Sequence, residues 1–80
     1  MEEKVRELIE ESINSVGIIL DEVLYVNENG VNYLRVILDK KDDYININDC
    51  ITVNDLIGPI LDKADLIEES YTLDICSKEK

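Results

Sequence analysis

The chain contains no histidine, no tryptophan and no phenylalanine. Without histidine there is no His-based triad, no His-ligated zinc, and none of the side chain that most often serves as general base. Its three glycines, Gly17, Gly30 and Gly58, stand apart, so no glycine-rich loop cradles a phosphate. Two cysteines, Cys50 and Cys76, make neither a disulfide framework nor a zinc site. They read as reduced thiols, and a cytoplasmic location is expected. Cys76 has only Lys78 near it in sequence, which is too little to activate a nucleophile. No run of about 18 apolar residues occurs, and the N-terminus is not basic-then-apolar, so neither a membrane span nor a secretory signal is expected. Positive charge is also scarce. Eight Lys and Arg stand against nineteen Asp and Glu, a net charge of −11. Phosphate neutralisation normally drives nucleic-acid binding, so direct contact with RNA, DNA or anionic lipid is secondary at best. A basic protein partner is favoured, and the negative field would speed its capture.

What is present is 80 residues, 45% hydrophobic and 34% charged. That is one small domain with room for a single core and no deep substrate cavity. With four tyrosines as the only aromatics, the core must be aliphatic.

Residues 2–16 carry Val5, Leu8, Ile9, Ser12, Ile13 and Val16 at helical spacing. Glu2 and Glu3 suit the first turn, and Gly17 suits a left-handed position just past the end. Residues 18–26 read as a strand, 27–30 (Asn-Glu-Asn-Gly) as a turn, and 31–40 as a second strand. In the second strand Leu34, Val36 and Leu38 point one way, and Tyr33, Arg35, Ile37 and Asp39 the other. The first strand is apolar at both parities, which leaves open whether Leu24 faces in or joins Glu22 on the outside.

Asn46 is placed to cap a second helix, with Asp49 as its capping-box partner. Cys50, Val53, Ile57, Ile60 and Ala64 share a face of that helix, and Gly58-Pro59 should kink or locally unwind it. Residues 62–69 read as a polar connection. Residues 70–77 read as a third strand, with Tyr71, Leu73 and Ile75 alternating against Thr72, Asp74 and Cys76. The expected fold is therefore α+β: a two-layer α-β-β-α-β domain. Its three-stranded mixed sheet has the second strand central and parallel to the third, and both helices cover one face. This is KH-like topology.

No catalytic residue, metal site or cofactor is expected. Asp39, Asp42 and Asp43 lack the spacing of a calcium loop and read as a solvated turn. Asn46 and Asp49 are caps before they are catalysts. The length and charge also suit acyl carrier proteins, but Ser12, Ser15, Ser70 and Ser77 lack the Asp-Ser-Leu context, and the strands argue against a helical bundle. KH domains clamp RNA with a Gly-x-x-Gly loop, whereas Gly58-Pro59 has no second glycine.

Several segments occur together in one order: Val16-Gly17; Tyr33-Leu34-Arg35-Val36-Ile37-Leu38-Asp39-Lys40; Ile45-Asn46-Ile47-Asn48-Asp49-Cys50; Asp65-Leu66-Ile67; and Tyr71-Thr72-Leu73-Asp74-Ile75-Cys76-Ser77. In this order and spacing the chain resembles the N-terminal domain of RimP, the bacterial ribosome maturation factor family. The family continues Ser-Ser-Pro-Gly-Leu into a linker and a second domain, whereas Lys78-Glu79-Lys80 stands here. Residues 1–77 are thus read as the domain and 78–80 as a tail opening toward that linker.

The resemblance implies a non-enzymatic assembly factor. Its partner would be the small (30S) ribosomal subunit, through a basic ribosomal protein near the decoding centre, and a monomer is expected. Tyr33, Arg35, Ile37 and Asp74, on the sheet face away from the helices, are the candidate contact residues. That face could equally be an ordinary solvated surface or dock the second domain. Two other functions stay open: a KH-like module binding ribosomal RNA directly, and an acidic protein mimicking nucleic acid to inhibit a basic target.

Overall fold

The structure, a computed structural model, describes residues 2–78. The order is α1 (Glu2–Ser15), β1 (Ile19–Glu28), β2 (Val31–Asp39), α2 (Ile47–Ala64) and β3 (Thr72–Ser77). The strands form one sheet in the order β1-β2-β3, with β1 antiparallel and β3 parallel to β2. This is the expected α-β-β-α-β domain.

The core is wholly aliphatic. Val5, Ile9 and Ile13 of α1 meet Leu20 and Val23 of β1, Leu34, Val36 and Leu38 of β2, and Val53, Ile57 and Leu61 of α2. Among the described residues no polar or charged one is buried. Both helices therefore pack on the face that Leu34, Val36 and Leu38 present. The apolar stripe of α1 is narrower than its sequence suggests, because Leu8 and Val16 remain exposed.

The ends of α1 and of the hairpin follow from local rules. Gly17 N–H donates to Asn14 O and Ile18 N–H to Ile13 O, with Gly17 at φ 79°. That is a Schellman stop, and glycine enters its left-handed position without strain. Asn29 (φ 52°) and Gly30 (φ 82°) form a two-residue turn between the paired Glu28 and Val31. Both residues are left-handed, the geometry that matches the twist of a tight hairpin. The turn is shorter than the four residues expected, and Asn27 and Glu28 belong to β1.

The ambiguity of β1 is resolved by a bulge. Register shifts between Leu20 and Glu22, so Asp21 is the extra residue. Leu20 faces the core before it, and Val23 faces the core after it. Glu22, Leu24 and Val26 thereby point away from the helices, opposite Ile37, Arg35 and Tyr33. Arg6 of α1 holds the bulge by donating to Leu20 O (2.8 Å) and Asp21 O (3.1 Å).

Of a kink or a local unwinding at Gly58-Pro59, the unwinding does not occur: α2 stays helical through the pair. Its end is a correction, since it continues to Ala64 where a polar connection was expected from residue 62. Pro59 forfeits one hydrogen bond, but Pro59 and Asp55 both lie on the exposed side, where water reaches the freed carbonyl. Ile57 and Leu61, buried on either side of the proline, hold the two halves to the sheet. A continuous helix leaves no loop at Gly58 for a KH-type clamp. Asp65 ends the helix in the left-handed region (φ 49°), with its N–H donating to Leu61 O. β3 starts at Thr72, two residues later than expected.

The start of α2 is as expected. Asn46 Oδ1 accepts from Asp49 N–H (2.9 Å), and Asp49 Oδ2 accepts from Asn46 N–H (3.0 Å). Lys40 Nζ adds an ion pair to Asp49 at 2.9 Å. The Asn46 N–H first, and Lys40 second, hold the Asp49 carboxyl below the ordinary carboxylate range. The unfolded chain lacks both partners and takes up that proton at higher pH. This stabilisation is therefore whole above the ordinary carboxylate range and is lost as pH falls through the folded-state value. In urea denaturation, Asp49→Asn should be less stable than the parent at about pH 6, with the gap closing toward about pH 3. A gap independent of pH would show that the charge on Asp49 is irrelevant.

Of the tail, Lys78 extends the β2–β3 ladder, its N–H donating to Leu38 O at 2.8 Å. Glu79 and Lys80 lie outside the described residues.

Candidate functional site

With both helices on one face, the other face of the sheet is open. Its rows follow from the register. Leu24, Arg35 and Asp74 lie side by side across the three strands; Glu22, Ile37 and Cys76 form the next row, and Val26, Tyr33 and Thr72 the row on the other side. All four candidate contact residues, Tyr33, Arg35, Ile37 and Asp74, thus fall on this one surface. All four are half-buried.

Arg35 is the centre of the surface. Its Nε donates to Asp74 Oδ2 at 3.0 Å and its Nη2 to Glu28 Oε1 at 3.2 Å. The guanidinium lies 6.0 Å from the Tyr33 ring centroid, at the outer limit of a cation–π contact. Asp74 first, then Glu28, raise the Arg35 pKa and hold it charged. Lys78 closes one end of the surface, with Nζ 3.0 Å from Asp21 Oδ1. Asp21 raises the Lys78 pKa in turn.

Among the described residues, both cations of this surface are thus paired with carboxylates of the same chain. Ile37 lies between them, and with Leu24 and Val26, which run along β1 beside Arg35 and Tyr33, it makes an aliphatic strip. Burial, followed by Asp74, pushes the Cys76 thiol up, and burial does the same to Cys50. Neither is poised as a thiolate nucleophile. Among the described residues, no group of three or more His, Cys, Asp or Glu is placed to hold a metal ion. The acidic turn after β2 serves the backbone: Asp39 Oδ1 accepts from Lys40 N–H and Asp43 Oδ1 from Tyr44 N–H, both at 2.8 Å.

Sequence reasoning missed Glu28, because it was assigned to the turn. It also missed Asp21 with Lys78, a pair formed across the sheet from residues 57 apart. The outward turn of Leu24 and Val26 depends on the bulge, which has no glycine to mark it.

No described helix is long and apolar enough to cross a membrane. The family model for the RimP N-terminal domain matches residues 8–78. That span runs from the middle of α1 through β3 and takes in the whole open face. With this match over most of its length and the α-β-β-α-β fold in place, the chain belongs to the RimP N-terminal domain family, whose members are non-enzymatic ribosome maturation factors.

Proposed function

We propose that the chain assists maturation of the small ribosomal subunit by holding a basic ribosomal protein near the decoding centre against the open sheet face. Tyr33, Arg35, Ile37 and Asp74 are its contact residues. The observation that carries this reading is the charge state of the face. Among the described residues its two cations, Arg35 and Lys78, are already paired, so the described surface offers an aliphatic strip with an acidic surround and no free positive charge for phosphate. Such a surface suits a basic protein and repels bare RNA.

The test is an NMR titration of the labelled protein at near-physiological salt. One series adds the purified decoding-centre ribosomal protein, and the other adds naked small-subunit RNA. Shifts confined to the open face in the first series are expected. Ile37→Asp should then weaken binding about tenfold, the effect of losing one apolar anchor of about 1.4 kcal/mol. Shifts with RNA alone would overturn the reading. Binding to many unrelated basic proteins that rises steeply at low salt would instead mark an acidic nucleic-acid mimic.

A further inference from the structure

The two edges of the sheet differ in how their backbone is covered. On β1, Arg6 occupies the carbonyls of Leu20 and Asp21, and Tyr25 N–H donates to Glu2 Oε2 at 2.8 Å. The bulge at Asp21 further bends that edge. On β3, the N–H of Lys78 points inward to Leu38 O. Strand alternation then turns the N–H and C=O groups of Leu73, Ile75 and Ser77 outward. Among the described residues none of these outward groups meets a partner. Thr72–Ser77 contains no proline or bulge of the kind that guards an edge, and Lys78, which extends the ladder, sends its side chain to Asp21.

A groove runs beside this edge on the helix side, lined by Gly58, Asp62, Glu69, Tyr71 and Leu73. The space over Gly58 is open, since a Cβ built there would meet nothing within 4 Å. Leu73 and Ile75 reach the core from this strand yet stay only partly buried, because nothing among the described residues lies beyond them.

We propose that β3 is a strand-addition site for an extended segment in which aliphatic residues alternate with Lys or Arg. An added strand sets one row of side chains beside Leu73 and Ile75, over the groove, and that row must be aliphatic. It sets the other row beside Thr72, Asp74 and Cys76. Asp74 is already paired with Arg35, so it is the net charge of −11, with Asp62 and Glu69 at the rim of the groove, that favours a segment carrying cations. A second copy of this chain fits poorly, because its β3 would bring another Asp74 and another −11. The inference goes beyond association with the small subunit and does not depend on it.

The test uses the full chain and an eight-residue peptide of alternating valine and arginine. The control has the same composition in two blocks. At near-physiological salt, the amides of Leu73, Ile75 and Ser77 should shift and gain exchange protection, with the alternating peptide about tenfold tighter than the blocked one. Gly58→Gln fills the groove, and Ser77→Pro removes an outward N–H without touching the β2 ladder. Each should weaken the peptide at least about fivefold while thermal unfolding confirms an intact fold. Equal binding of both peptides, or shifts elsewhere without protection at β3, would overturn the proposal. So would protection that rises with protein concentration alone, which would assign the edge to a second copy. Failure here leaves the ribosomal reading standing, since no ribosomal component enters the assay.

Discussion

Truncating Leu34 to alanine is expected to remove about 3 kcal/mol of stability, measured by urea denaturation. Leu34 is fully buried on the central strand, paired with Tyr25 of β1 on one side and Leu73 of β3 on the other. Both helices close over its face of the sheet. The site cannot easily collapse, because its neighbours belong to three strands locked in register. A domain of this size has about 4–12 kcal/mol in all, at 0.05–0.15 per residue. The variant should therefore sit near the threshold of folding. Ile51→Ala, on the exposed side of α2, should change stability by no more than about 0.5 kcal/mol. A Leu34 effect below about 1 kcal/mol would mean that the core is not the single unit described.

The second large effect runs the other way. Replacing Gly58 and Pro59 together with alanine should stabilise the domain by about 2–4 kcal/mol, because both are poor residues in a helix interior. The helix is already continuous through them, so alanine needs no new backbone path. A methyl at Gly58 meets nothing, and Pro59 is exposed. Alanine at 59 also restores the N–H that Asp55 O lacks. A raised urea midpoint with an unchanged slope is expected. A lowered midpoint would show that the proline ring supports the fold in a way its exposure does not reveal.

That same pair shows where reading a sequence fails. Gly58-Pro59 is a strong local breaker, and local propensity alone allows the helix to unwind there. Burial of Ile57 and Leu61 on both sides keeps the segment helical, and that burial exists only once β2 and β3 are in place. The bulge at Asp21 is hidden for a related reason. β1 is apolar at both parities, so its sequence permits either face until Arg6, from another element, fixes the carbonyls. By contrast, the Asn46–Asp49 box, the Gly17 stop and the alternation of β2 were all legible, because each is decided within a few residues. The four candidate contact residues were placed together correctly because β2 and β3 alternate cleanly. The two ion-pair partners of Arg35, Glu28 and Asp74, are set by register, which for Glu28 turned on the exact length of a turn.

The sheet also closes on two very different timescales. Asn29 and Gly30 join β1 to β2 across a two-residue turn, and hairpins of this kind form in about 1–10 μs. β3 must find β2 from the far side of α2, setting Thr72 beside Tyr33, and loop entropy is spent before any contact rewards it. During synthesis the gap is wider still. At about 5–20 residues per second, β2 waits for seconds before β3 leaves the ribosome. Through that wait Leu34, Val36 and Leu38 carry one bare flank. The surplus of carboxylates then has a role in the nascent chain as well, keeping neighbouring copies apart until the last strand arrives.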